Sequence, residues 1–284
     1  VWERCGIQQA TPTGWIGRHL STSTDVAGNL AGISHEQRIW SAMQGYSKSL
    51  AISNINNFDV FGYADRSAAR SVLNALHAGS GVVQNEGQDT LDAVNTINGI
   101  DFGAITPQNG AVYPNNIGLA RELQQIAQLI RADVGLRAVT VDIGGWDTHN
   151  DMGTPVPGER MYDRISQLAR GIEPFLVDMG SDMNEVTLLV ASEFGRTINV
   201  NGNGGTDHGR GGVMFCFGGG INGGIYGGFP TVIEDGPEGD LMVMNDFRQV
   251  YAEILDRRLG NGANEAFVLN GYTAGSYLGL AQPS

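Results

Sequence analysis

The chain has 284 residues, of which 30 are acidic and 17 are Lys or Arg, for a formal charge of −13. That charge argues against a nucleic-acid backbone as partner. No apolar run approaches the roughly 18 residues of a membrane-spanning helix, and two cysteines exclude a cysteine metal site. The length suits one large α/β domain, read here as residues 1–284 with a mainly helical part (1–135) and a sheet core (136–284).

In chain order, "TPTGWIGRHL" (11–20) reads as a turn followed by a short apolar-basic segment, and residues 36–50 have patchy helical spacing. Residues 64–79 form an amphipathic pattern that stops at a glycine, and a second helix is expected near 86–98. Residues 115–134 are the clearest helix: Leu119, Leu123, Ile126, Ala127, Ile130 and Val134 share one face, with Arg121, Glu122 and Arg131 opposite. The pattern then changes to "RAVTVDIGG" (137–145), a β-branched run of the type found in buried parallel strands. A helix over 159–180 is predicted to face inward with Met161, Ile165, Leu168 and Ile172, and Pro174 is expected to kink it or start a second segment. Strands are expected at 185–192 and 212–220, and a helix with an Asn or Asp cap at 245–260. Alternating strands and helices predict a mostly parallel sheet covered on both faces. Cys216, in "VMFCFG", is expected to be a free buried thiol.

Three short motifs stand at strand ends or between strands: "GGWDTH" (144–149), "SEFGRT" (192–197) and "GTDHGRGG" (205–212). Sites in open parallel sheets form outside the carboxyl ends of the strands. Asp147, His149, Glu193, Asp207 and His208 are therefore candidate metal ligands, and Arg196 and Arg210 candidate anion clamps. Two His and three carboxylates without Cys suit Zn²⁺, Mn²⁺ or Fe better than Mg²⁺ or Ca²⁺. Such an ion activates water and neutralises a phosphoryl-type oxyanion. Taken singly, each motif has a plainer reading. Asp-x-His caps a turn, Ser192 caps a helix start, and "TDHG" is a turn. Their conjunction carries the argument, since two of only five histidines sit in these glycine-framed loops beside aspartates. Of the others, His19 reads as a core-edge residue, His77 as a helix end, and His35 as the neighbour of a capping Ser34.

These motifs, with "GGGINGGIYG", the early "TGWIGRHL" and the late "DFRQVYAEILDRRLG" in the same order, resemble a bacterial family known as domain of unknown function 1501, of the alkaline-phosphatase-like superfamily that includes sulfatases and cofactor-independent phosphoglycerate mutases. The resemblance implies a doubly wound sheet with helices on both faces and one or two divalent ions, Zn or Mn, at the strand ends. It implies hydrolysis of phosphate or sulfate esters, with an anionic small molecule as substrate. Asp147 and His149 match the first ligand pair, Glu193 stands where the Asp of an Asp-His-Gly would be, and His208 with Asp207 matches a later His. Glu193, Arg196 and Arg210 would then act on the substrate. Phe194 replaces a ligating His. The family's Asp-bearing first strand lies upstream of the segment like "VWERCG", so that strand and the nucleophile are expected to be missing here. Many relatives are exported, which implies a periplasmic or extracellular setting. The alternative is a non-catalytic exported scaffold, surface-layer or filament subunit that self-associates and retains the fold.

Overall fold

The computed structural model describes residues 2–6, 11–26, 28–60, 64–228, 233–234 and 239–283. It is α/β. Among the described residues there are seven helices: α1 (Trp15–Thr22), α2 (Arg66–Leu76), α3 (Val82–Asn98), α4 (Gly118–Arg131), α5 (Arg160–Met179), α6 (Phe247–Arg257) and α7 (Glu265–Val268). None is long and apolar enough to cross a membrane. Three short strands, β1 (Gly32–Ser34), β2 (Ser49–Ala51) and β3 (Ala138–Thr140), form a parallel sheet in the order β2-β1-β3. β4 (Leu188–Val190) pairs with β7 (Phe215–Phe217), and between them β5 (Gly195–Arg196) pairs with β6 (His208–Gly209).

The helices follow their apolar spacing. On α4, Leu119, Leu123, Ile126 and Ala127 are buried against Ile172, Phe175 and Met179 of α5. Full burial of one such side chain contributes roughly 1.5–3 kcal/mol, so this pair of helices anchors the fold. Val139 of β3 and Leu188 and Val190 of β4 pack on the same layer, while Leu189 faces α6 on the other side. Trp15 of α1 stacks on Tyr251 of α6 with ring centroids 4.7 Å apart, tying the early chain to the late chain.

Several expectations are corrected. Residues 36–50 are not a helix. They hold a 3₁₀ turn, Ser41–Met43, and β2. The turn's backbone lies directly on α1, where a side chain at Gly14 or Gly17 would collide with the carbonyls of residues 41–44. The mainly helical first part thus also supplies two of the three parallel strands. Pro174 does not divide α5, which runs unbroken through it. Ile165, expected to face inward, is 55 % exposed, because only the second half of α5 lies under α4. β7 runs antiparallel to β4 rather than parallel. A parallel return needs a crossover of a dozen or more residues, usually helical, and the chain between β4 and β7 instead folds as the β5–β6 ribbon. Both cysteines are free, as expected; Cys216 is half-buried and burial pushes its thiol up to about 11. His19 is 5 % exposed and bonded to Asn261, and His77 closes α2.

β3 is hydrogen-bonded on one side. Its Ala138 N–H donates to Ala31 at 2.9 Å, toward β1, and no strand among the described residues pairs with its other edge. The loops after β3 and β4 carry the three motifs and are bonded to each other through Arg196, which reaches Trp146 and Asp147.

Candidate metal centre

The Asp-x-His spacing works by alternation. Thr148 is fully buried and its carbonyl accepts from Thr206 N–H at 3.1 Å, while the Asp147 and His149 side chains on either side are about half exposed. An extended backbone places residues i and i+2 on one face, so burying the middle residue presents its neighbours together. A further lacing holds this segment against the loop before β6: Asp151 N–H donates to Asn203 and Met152 N–H to Gly204. Gly205 has no alternative here, since a Cβ would collide with the backbone of Thr148 and His149.

The second half of the site comes from the β5–β6 ribbon, where Arg196 lies directly opposite His208. Both side chains reach Asp147. Its Oδ1 is 3.1 Å from His208 Nε2, 3.0 Å from His149 Nε2 and 2.6 Å from Arg196 Nη2. The two Nε2 atoms are 3.2 Å apart. Asp147, His149 and His208 are the group of potential metal ligands that the described residues bring together. Hydrogen bonding from His208, with Arg196 and the charge of His149, outweighs desolvation and holds the Asp147 carboxyl below its ordinary value.

The remaining predicted residues fall outside this triangle. Asp207 accepts from His149 Nδ1 at 2.7 Å, on the far side of the ring from Asp147. Arg196 is spent on the protein: besides Asp147 it donates to the carbonyls of Trp146 and Thr206, and so fixes both loops. Arg210 is exposed and held to Asp240, with its backbone N–H at 2.8 Å and its guanidinium Nε at 3.8 Å from that carboxylate. Glu193 is exposed before β5, and among the described residues no hydrogen bond or ion pair ties it to the cluster. Phe194, which cannot ligate, has a use: its ring stacks on the His208 imidazole with centroids 3.8 Å apart and planes at 15°.

Sequence reasoning missed Asn201. Its Nδ2 donates to the His149 carbonyl and to Asp207 Oδ1, each at 3.0 Å. Within "NVNGNGG" it reads only as loop composition, and no spacing singles it out.

Three oxygen or nitrogen atoms on a triangle with edges of 3.0, 3.1 and 3.2 Å fit the face of a metal's ligand shell. Ligands about 2.0–2.1 Å from an ion stand roughly 2.9 Å apart in an octahedral face and roughly 3.3 Å apart in a tetrahedral one. The observed edges lie between. Lone pairs this close repel unless a cation or a proton sits among them.

Residues 118–252 match the model of a family described as "Protein of unknown function (DUF1501)". That stretch runs from α4 into α6 and contains every residue of the cluster. No curated protein and no solved structure matches the chain.

Proposed function

We propose that this chain carries a single-ion hydrolytic centre of the alkaline-phosphatase-like type, acting on phosphate or sulfate esters, in an exported, periplasmic or extracellular protein. The observation that carries the metal reading is the triangle of Asp147 Oδ1, His149 Nε2 and His208 Nε2. Two imidazoles and one carboxylate are the donor set of zinc or manganese rather than of magnesium or calcium. Three ligands leave room in the shell for water and substrate. When bound, the ion supplies Lewis acidity and an acidified water. Support for esters as substrates comes from the resemblance of the motifs to the alkaline-phosphatase-like superfamily alone, since the family matched by residues 118–252 is described as of unknown function.

The protein's own groups have distinct parts in this reading. Arg196 neutralises the remaining charge of Asp147 and pins Trp146 and Thr206 beside it. Phe194 fixes the plane of His208. Arg210, exposed and paired with Asp240, is the group this reading assigns to the anionic end of the ester. Glu193 is left with no part in the ligand set.

A second reading rests on a separate observation. His149 lies between the carboxylates of Asp147 and Asp207 at 3.0 and 2.7 Å, with Arg196 on Asp147, an arrangement that balances its charges with one proton in place of an ion. That favours a non-catalytic scaffold or assembly protein. Elemental mass spectrometry on protein purified without chelator decides between them. The hydrolase reading expects about one equivalent of zinc or manganese, lost in Asp147→Ala and His208→Ala, and metal-dependent hydrolysis of p-nitrophenyl phosphate or sulfate. Metal-free wild type that stays inert after zinc or manganese is added selects the scaffold.

A further inference from the structure

Asp207 stands outside the ligand triangle and still acts on it. Both ring nitrogens of His149 face a carboxylate, Nδ1 on Asp207 at 2.7 Å and Nε2 on Asp147 at 3.0 Å, but Asp147 Oδ1 already accepts from the Arg196 guanidinium at 2.6 Å, so the single proton of a neutral ring goes to the shorter contact, on Nδ1. A neutral imidazole has one N–H, which leaves the lone pair on Nε2, the atom that faces Asp147 and His208. Asn201 fixes Asp207 in turn. Its Nδ2 spans Asp207 Oδ1 and the His149 carbonyl, so a single amide holds both the backbone of His149 and the carboxylate against its ring. The amide oxygen accepts from Asn203 and Gly205 N–H at 2.9 and 3.2 Å, which fixes which way Asn201 points. Thr197 clamps the Asp207 backbone from both sides, donating to its carbonyl at 3.0 Å and accepting from its N–H at 3.1 Å.

We infer that Asp207, locked by Asn201, is a positioning pair that sets His149 in its Nδ1–H tautomer and turns the bare Nε2 toward Asp147 and His208. Neither residue is a ligand. This reassigns Asp207 from the ligand set to the outer shell, where a carboxylate behind a ligating imidazole sets its orientation and raises its basicity. The inference rests on the metal reading for its purpose, but its geometry is testable without a metal.

The experiment is long-range proton–nitrogen NMR of the histidine side chains in isotope-labelled, metal-free protein above neutral pH, followed by zinc titration of the same samples. In the wild type, His149 is expected to carry its proton on Nδ1. Asp207→Asn and Asn201→Ala are expected to spread the proton onto Nε2 and to weaken zinc binding about 10- to 100-fold. Asp207→Asn is isosteric, so it keeps the result readable if Asn201→Ala opens the loop; thermal melting checks both. A wild-type His149 protonated on Nε2, or on both nitrogens, overturns the inference, as does an Asp207→Asn variant with unchanged tautomer and unchanged zinc affinity. An Nδ1–H wild type that binds no zinc sinks the metal reading and leaves the positioning pair standing.

Discussion

Asp178, in the last turn of α5, is 1 % exposed, and its carboxylate is enclosed by donors from three places. Arg131 reaches it at 2.8 Å, the Tyr113 hydroxyl at 2.8 Å and Gln108 N–H at 2.6 Å. Burial alone would raise its pKa, but these donors together hold it below the ordinary 3.8. A carboxylate depressed in the folded state contributes stability that is complete above the unfolded value and is lost as pH falls through the folded one. Asp178→Asn should therefore flatten the acid limb of a plot of melting temperature against pH, below about 4. A limb as steep as that of the wild type would show that other carboxylates dominate. Asp178→Ala removes the carboxylate partner of the largely buried Arg131 guanidinium, which keeps only the Asp178 carbonyl, and should cost up to about 3 kcal/mol in urea unfolding. The same residue-scale logic separates Asp147 from Asp207 at the metal centre: two aspartates of similar exposure differ in what they do because of the atom each one faces.

At the scale of elements, α4 and α5 come into close contact at Gly171. A Cβ there would meet Leu119 Cδ2 at 2.6 Å and Cγ at 2.8 Å. Gly171→Val should destabilise the protein by about 1–3 kcal/mol through overpacking. Coupled to Leu119→Ala, it should cost less than the two single losses summed, by at least about 0.5 kcal/mol. Strict additivity in denaturant midpoints would show that the helices separate instead. The longer helices were legible in the sequence because their apolar residues recur every three or four positions over ten or more residues. β1 and β2 were not, since three residues leave no alternation to read and their place is set by partners distant in sequence. The antiparallel course of β7 was hidden for a similar reason: an apolar run carries no mark of direction. At the site, Asp147, His149 and His208 stood out as residue types in glycine-framed loops. The roles of Asp207, Asn201 and Arg196 did not, because they arise from lacing between loops about fifty residues apart. Glu253 shows the same limit. It sits beside Ile254 and Leu255 on α6 and is buried, because three N–H groups of residues 278–281 converge on it.

Across the whole molecule, the three-stranded sheet and the β4–β7 pair are each bonded internally and both pack on the α4–α5 layer, and their following loops are joined through Arg196 and Asp147. The cluster's ligands come from both: Asp147 and His149 follow β3, while His208 is held by the ribbon between β4 and β7. Because Ala138 N–H points to β1, alternation turns the Val139 N–H to the other edge of β3, with which no strand among the described residues pairs. Ile33, in the middle strand, is paired on both sides. In deuterated water the Val139 amide should exchange orders of magnitude sooner than that of Ile33, though the two residues are paired neighbours. Equal protection would show that the edge is closed in solution. Unequal protection would give the centre of the protein two clocks, one set by global unfolding and the other by the arrival of water at a single strand edge.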